Sequence, residues 1–295
     1  MAIKIGNKSE EGVYKLYKGI AALNVVAVNP NKAQLEKITG RSVDEEPVYL
    51  GKDDEGNDTV RVTVYAKTAP EAKVNNGIDL NVSFSFILTK ATRVGQASGK
   101  TQIIDKFGRT AWATSTDLAN KAIPVYASGP ANIAPDYRPA ARGEEALVNF
   151  LIKWLNIPAP ANYKDGKWVM KDNTEDSEVS LNLNKLFAGD VSEISSLVEP
   201  AAEFAVKAAV GIRTTDDGKQ YQAVFTREFA KNSVTDYSKL DAAIMEFKNA
   251  GGAPNTEFDC TPLHENVVES TVFAAPKTEV VGDMPDFTNV QNPWA

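Results

Sequence analysis

Residues 59–67 read Thr-Val-Arg-Val-Thr-Val-Tyr-Ala-Lys, in which small apolar residues alternate with polar or aromatic ones. A period of two is typical of a β-strand that buries one face and leaves the other open. The three valines and the alanine are therefore predicted to face a core. Arg61, Tyr65 and Lys67 are predicted to lie together on the opposite, open face of the strand.

The same alternation recurs along the chain. Residues 78–88 place leucine, valine and phenylalanine on one face, and aspartate, asparagine and serine on the other. Further strands are predicted at Leu23–Val28, Lys100–Asp105, Arg109–Thr114, Glu203–Arg213 and Gln220–Arg227. Hairpin turns are predicted at Lys106-Phe-Gly108 and at Thr215-Asp-Asp-Gly218, because glycine in a short loop tolerates a positive φ.

Helical spacing of apolar residues is confined to three segments. It predicts helices over Asn31–Gly40, Arg142–Leu155 and Ser238–Asn249, the first and last of which end at glycine. Clustered prolines predict irregular structure over Ala127–Ala140 and Ile157–Asp176.

These elements predict a β-rich α+β protein built on an OB-like antiparallel barrel, with helical insertions and a second small α+β segment. Residues 1–126 are expected to form the barrel core. Residues 127–275 are expected to form a helix-bearing insertion and an α+β hairpin segment that packs on the barrel or completes it. Residues 276–295 contain little periodicity and are expected to form a mobile tail.

Composition bounds the class of protein. The chain has 295 residues, 43% of them hydrophobic, and a formal net charge of −7. This charge argues against a general polyanion binder, so binding of nucleic acid would need a local groove of lysine and arginine. Met1–Ser9 has no apolar signal core, no stretch is long enough to cross a bilayer, and a single cysteine fits a reducing compartment. We therefore expect a soluble protein of the cytoplasm, with no membrane partner.

Catalytic and metal-binding devices are poorly represented. His264 is the only histidine, and with Cys260 it supplies two of the four ligands that a structural zinc site needs. Gly95–Thr101 resembles a phosphate loop but is one residue short, and it precedes a predicted strand instead of a helix. We therefore expect no enzyme activity, no metal and no cofactor.

Cations collect between Lys90 and Arg109, where five lysines and arginines accompany one acid, Asp105. Together with aromatic rings, such cations suit a single-stranded nucleic acid, because bases stack on rings while cations follow phosphates. An ordinary solvated sheet face is the alternative. The candidate DNA-binding residues are Arg61, Tyr65, Lys67, Lys90, Arg93, Lys100, Lys106, Phe107, Arg109 and Trp112. Trp112 is equally compatible with a core position.

Two further segments leave alternatives open. In the hairpin at 203–227, Tyr221 and Phe225 either extend the binding face or pack into the core. The tail mixes acidic and apolar residues, a combination that can dock on a partner's basic pocket. Its candidate partner-binding residues are Asp283, Asp286, Phe287 and Trp294. A plain disordered end is the alternative.

Several short motifs resemble the single-stranded DNA-binding proteins of tailed bacteriophages, of the crAss-like phage type. They are Val13-Tyr-Lys-Leu-Tyr-Lys-Gly-Ile20, Val25-Val-Ala-Val-Asn-Pro-Asn31, Glu46-Pro-Val-Tyr49, Lys106-Phe-Gly-Arg-Thr-Ala-Trp112, Arg142-Gly-Glu-Glu-Ala-Leu147 and Gly218-Lys-Gln-Tyr-Gln222. The resemblance implies an OB-fold core, coating of replication and recombination intermediates in the host cytoplasm, and a tail that recruits replication proteins. The chain departs from the family in lacking a terminal phenylalanine and a dense acidic run.

The function expected from these observations is binding of single-stranded DNA without sequence specificity. The alternative is a virion structural or assembly protein of a phage, which would bind protein partners. The residues leave open the oligomeric state, the site size, the cooperativity and the choice between DNA and RNA.

Overall fold

The computed structural model describes residues 7–8, 14–76, 79–90, 100–105, 110–114, 137–158, 161–171, 178–260 and 267–270, and the fold is given for these. The strands are β1 Asn7–Lys8, β2 Tyr14–Tyr17, β3 Gly19–Val28, β4 Leu50–Lys52, β5 Asp58–Thr68, β6 Asn81–Thr89, β7 Lys100–Asp105, β8 Thr110–Thr114, β9 Tyr137–Pro139, β10 Asn162–Lys164, β11 Lys167–Lys171, β12 Glu178–Leu181, β13 Ala205–Thr214, β14 Gln220–Val224, β15 Ala230–Lys231, β16 Thr256–Phe258 and β17 Val267–Ser270. The helices are α1 Lys32–Thr39, α2 Pro70–Asn76, α3 Glu144–Trp154, α4 Leu183–Phe187, α5 Ser192–Ser195 and α6 Ser238–Asn249.

The main sheet is antiparallel, and its central strands lie in the order β6–β5–β3–β13–β14. Strands β3, β5 and β6 follow one another, and β13 returns through a long connection to lie beside β3. This 4-1-2-3 arrangement is a Greek key. The sheet curls so that its outer strands β6 and β14 approach each other. The result is a half-barrel that takes three of these strands from residues 1–126 and two from residues 127–275.

The remaining strands extend the half-barrel or form small sheets. Strand β4 pairs with β5 beyond the end of β3, and β15 and β16 pair with β13. Three-stranded sheets are formed by β1–β2–β17, by β8–β7–β9 and by β10–β11–β12.

The prediction that 127–140 and 157–176 are irregular was wrong for the described parts of both segments. They contain β9, β10 and β11. The turn between β10 and β11 holds Asp165 at φ 51° and Gly166 at φ 82°. This Asp-Gly pair favours the tight hairpin turn, and Trp168 on β11 supplies the buried side chain that holds the hairpin against the core.

Most predicted elements are confirmed. Helix α1 has Asn31 as its cap, whose side chain accepts a hydrogen bond from the Gln34 N–H, and Gly40 ends it at φ 66°. The strands over 59–67 and 78–88 are β5 and β6, and the hairpin at 215–218 joins β13 to β14. The predicted turn at 106–108 lies outside the described residues.

The core fills the interior of the half-barrel. Helix α3 lies across it, and its Phe150 and Trp154 pack in the same buried cluster as Phe84 and Phe86 of β6. A second, smaller cluster lies where α6 covers β13 and the residue after β14. Phe225 belongs to that cluster and is buried, which decides in favour of the core alternative for this residue.

The start of α3 is held against β6 at a glycine. Gly143 has φ +81°, and a Cβ placed on it would lie 2.3 Å from the carbonyl oxygen of Ile87. Replacing Gly143 by alanine therefore adds a backbone clash to the cost of a left-handed conformation, and we expect a loss of about 2–3 kcal/mol in the free energy of unfolding. Chemical denaturation measures it.

Gly166 provides the matched control. It has φ +82°, and a Cβ there would meet nothing within 4 Å. Gly166→Ala should therefore cost only about 1 kcal/mol, the price of the left-handed conformation by itself. Equal losses in the free energy of unfolding for the two variants would show that the backbone at Gly143 does not lie close to the Ile87 carbonyl.

Candidate nucleic-acid interface

The face of β5 and β6 that points away from the core carries a row of polar and charged side chains. Its members alternate with core residues of both strands, such as Val60 and Leu88, although Thr63 among them is itself buried, at 8% exposure. We call this surface the outer strip and define it by Arg61, Thr63, Lys67, Ser83, Ser85 and Ile87. Lys67 pairs in register with Asn81, and Arg61 pairs with Ile87. Between these two rows, the hydroxyl groups of Thr63 and Ser85 lie 2.9 Å apart and share a hydrogen bond.

Tyr65 lies in the middle of this face but is only 5% exposed. The prediction that its ring offers an open stacking surface was therefore wrong. Burial raises the pKa of Tyr65 to about 12. A ring so covered cannot receive a base without movement of its neighbours.

The connection between β3 and β5, which contains α1 and β4, runs beside β5 near Tyr65. Tyr49 of this connection donates a hydrogen bond from its hydroxyl to the carbonyl of Pro30 (2.7 Å), while its own carbonyl accepts from the Arg61 N–H (2.7 Å). The pKa of Tyr49 is raised, first by burial and then by the nearby Tyr65 phenol. The two phenol groups therefore lie near each other, and Tyr49 is the more exposed of the two residues.

Two acidic side chains hold the segment that follows α1 against this helix. Glu46 accepts a hydrogen bond from the backbone N–H of Lys32 at the start of the helix (3.2 Å), and Glu36 accepts one from the Val43 N–H (3.0 Å). Asp44 and Glu45 are exposed on this lobe.

Cations lie at both ends of the outer strip. Lys67 is exposed at one end and has no ion pair within the described residues. Lys90 is exposed just past the other end of β6, beside Asp58, which pairs with Lys52 (2.7 Å). Strand geometry places Lys67 and Lys90 about 25–30 Å apart. Arg61 lies between them and is half-buried.

The other predicted binding residues fall into two groups. Lys100 and Trp112 belong to β7 and β8, whose register pairs Gln102 with Trp112, and Trp112 is half-buried. The structure therefore places them on the small β8–β7–β9 sheet and not on β5 or β6. Outside the described residues lie Arg93, Lys106, Phe107, Arg109, Asp283, Asp286, Phe287 and Trp294.

Ile87 in the outer strip and Tyr49 beside Arg61 were not predicted from the sequence. Ile87 has the open-face parity of Ser83 and Ser85, but it stands inside the apolar run Phe86-Ile-Leu88, which hides the alternation. Tyr49 adjoins a strand too short to produce a periodic signal. Attention to parity alone would have found Ile87.

In the described part of the chain, no group of three or more histidine, cysteine or acidic side chains is placed to hold a metal ion. No helix described is long and apolar enough to cross a membrane. Burial raises the pKa of the Cys260 thiol to about 11, so little thiolate forms at neutral pH.

Comparison of the chain with protein-family models, with curated proteins and with solved structures found no match in any of the three.

Proposed function

We propose that this protein binds single-stranded DNA without sequence specificity, and that the outer strip forms part of its binding surface. The observation that carries the proposal is the outer strip itself, a face of the neighbouring strands β5 and β6 of the half-barrel that carries Arg61 and Lys67 on β5. Cations spaced along a strand can follow a phosphate backbone without reading base edges.

The topology supports an OB-like barrel. An OB-fold is a five-stranded, partly open Greek-key barrel whose second and third strands bind oligonucleotides, together with the loops after strands one and four. Counting β3, β5, β6, β13 and β14 as the five strands makes β5 and β6 the second and third. The α1–β4 connection then takes the place of the first binding loop, and the turn at 215–218 that of the other.

The charges of the described surface set the expected strength of binding. Each phosphate of a single strand whose charge is neutralised by a lysine or arginine contributes about −0.7 to the slope of log K against log salt. Arg61, Lys67 and Lys90 would therefore contribute about −2 together. Stacking on Phe107 and contacts from Arg93, Lys106 and Arg109 are predictions that would add to this value.

The test replaces Arg61 and Lys67 together by glutamine. We expect the affinity for oligo-dT to fall roughly tenfold or more at low salt, and the salt slope to become shallower by about 1.4, because two phosphate contacts are lost. Fluorescence anisotropy titrations across a salt series measure both quantities, and a duplex of equal length should bind more weakly than the single strand.

The control is Lys239→Gln with Lys248→Gln, which removes the same charge from two exposed positions of α6. It should leave the affinity and the slope nearly unchanged. If both double variants behave alike, the surface lies elsewhere. If the wild-type protein does not bind single strands at low salt, the proposed function is wrong.

A further inference from the structure

Ile87 is the large apolar side chain of the outer strip. It is 45% exposed, whereas Phe86 and Leu88 on either side of it are buried. Directly across from it on β5 stands Arg61, and Tyr49 follows in the same row on the other side of Arg61. Cross-strand neighbours in such a row hold their Cβ atoms about 5 Å apart.

Single exposed aliphatic residues are common on protein surfaces and need no explanation by themselves. The surroundings of Ile87 are what distinguish it. The outer strip continues from Ile87 along β6 through Ser85 and Ser83. Their small, half-exposed side chains project less far from the sheet than the isoleucine side chain does. An apolar side chain next to a guanidinium, on a face otherwise lined by small polar side chains, offers the two contacts that a nucleotide requires. One is for the base and one is for the phosphate.

We propose that Ile87 is a base-contacting residue, on which a nucleobase of the bound single strand packs while an adjacent phosphate lies beside Arg61. This proposal rests on the proposed function and adds the contact that provides affinity beyond charge. An isoleucine side chain has no hydrogen-bonding group, so it accepts any base by its apolar surface. The contact is therefore tolerant of sequence.

The experiment separates base contacts from phosphate contacts by comparing two probes with the full chain. One is an oligo-dT, and the other is an abasic oligomer of the same length, which keeps the phosphates and lacks the bases. Ile87→Thr keeps the β-branch but removes apolar surface, and it should weaken oligo-dT binding about fivefold, which is about 1 kcal/mol. Ile87→Trp should strengthen it, because a ring stacks on a base more extensively. Neither variant should alter binding of the abasic oligomer or the salt slope of either probe.

Met245→Thr is the matched control, since Met245 is an apolar residue on α6 that is 51% exposed. It should leave both probes unaffected. Equal oligo-dT affinities for the wild type, Ile87→Thr and Ile87→Trp would overturn the inference, as would equal losses on the two probes. If the Arg61 and Lys67 double variant weakens binding in that case, the proposed function survives and only the role of Ile87 is lost.

Discussion

Replacing Phe150 by alanine is expected to lower the free energy of unfolding by about 3–5 kcal/mol, the usual cost of deleting a large buried ring. The Phe150 ring is fully buried on α3. Its centroid lies 5.1 Å from that of Phe229 and 5.3 Å from that of Phe86, and it stacks on Trp154 at 5.7 Å. The alanine variant would leave a cavity at the point where the helix, β6 and the segment after β14 meet. Urea denaturation followed by tryptophan fluorescence measures the loss.

The control for this prediction deletes the same atoms at the surface. Phe204 precedes β13 and is 46% exposed, although its parity in the sequence predicts that it faces inward with Val206. Phe204→Ala should cost less than about 1 kcal/mol, because little apolar area leaves the core. A loss for Phe150→Ala that is no larger than that for Phe204→Ala would mean that α3 does not close the half-barrel.

Replacing Glu144 by alanine is expected to cost about 3–5 kcal/mol, because it removes a buried acceptor and leaves two buried donors without it. The Glu144 carboxylate is fully buried. It accepts hydrogen bonds from the Ala141 N–H (2.7 Å) and from the Trp168 indole N–H (3.0 Å). It thereby links the start of α3 to β11 of the β10–β11–β12 sheet. Glu144→Gln keeps the shape but presents an amide NH₂ to one of the donors, so we expect an intermediate loss.

A double-mutant cycle isolates the bond to the indole. Trp168→Phe removes the donor, and the coupling energy between Glu144→Ala and Trp168→Phe should be about 1–3 kcal/mol. Glu199→Ala, at an exposed position, should change the stability by less than about 0.5 kcal/mol. Additive effects of the two changes at 144 and 168 would show that the hydrogen bond contributes nothing to holding the sheet on the helix.

The elements with strong local signals were predictable, and the candidate site was predictable only in part. The alternation over 59–67 and 78–88 correctly assigned the inward and outward faces of β5 and β6, so Arg61 and Lys67 were placed on the outer strip from the sequence. Tyr65 has the same parity, and the sequence offers no sign that it is covered. Its burial depends on neighbours in the folded chain, among them the Tyr49 phenol, which is held by its hydrogen bond to the Pro30 carbonyl.

The sequence by itself determined local geometry. Periods of two and 3.6, an asparagine cap and Asp-Gly turns act over a few residues, so strands, helices and hairpins could be located without knowledge of the rest of the chain. Only the tertiary structure decided which outward faces remain open. Whether a side chain reaches solvent depends on segments far away in sequence that pack over it. Phe225 packs against α6 and Tyr65 is buried, while Ile87 is left exposed. Burial is a property of contacts between elements, whereas parity is a property of one strand.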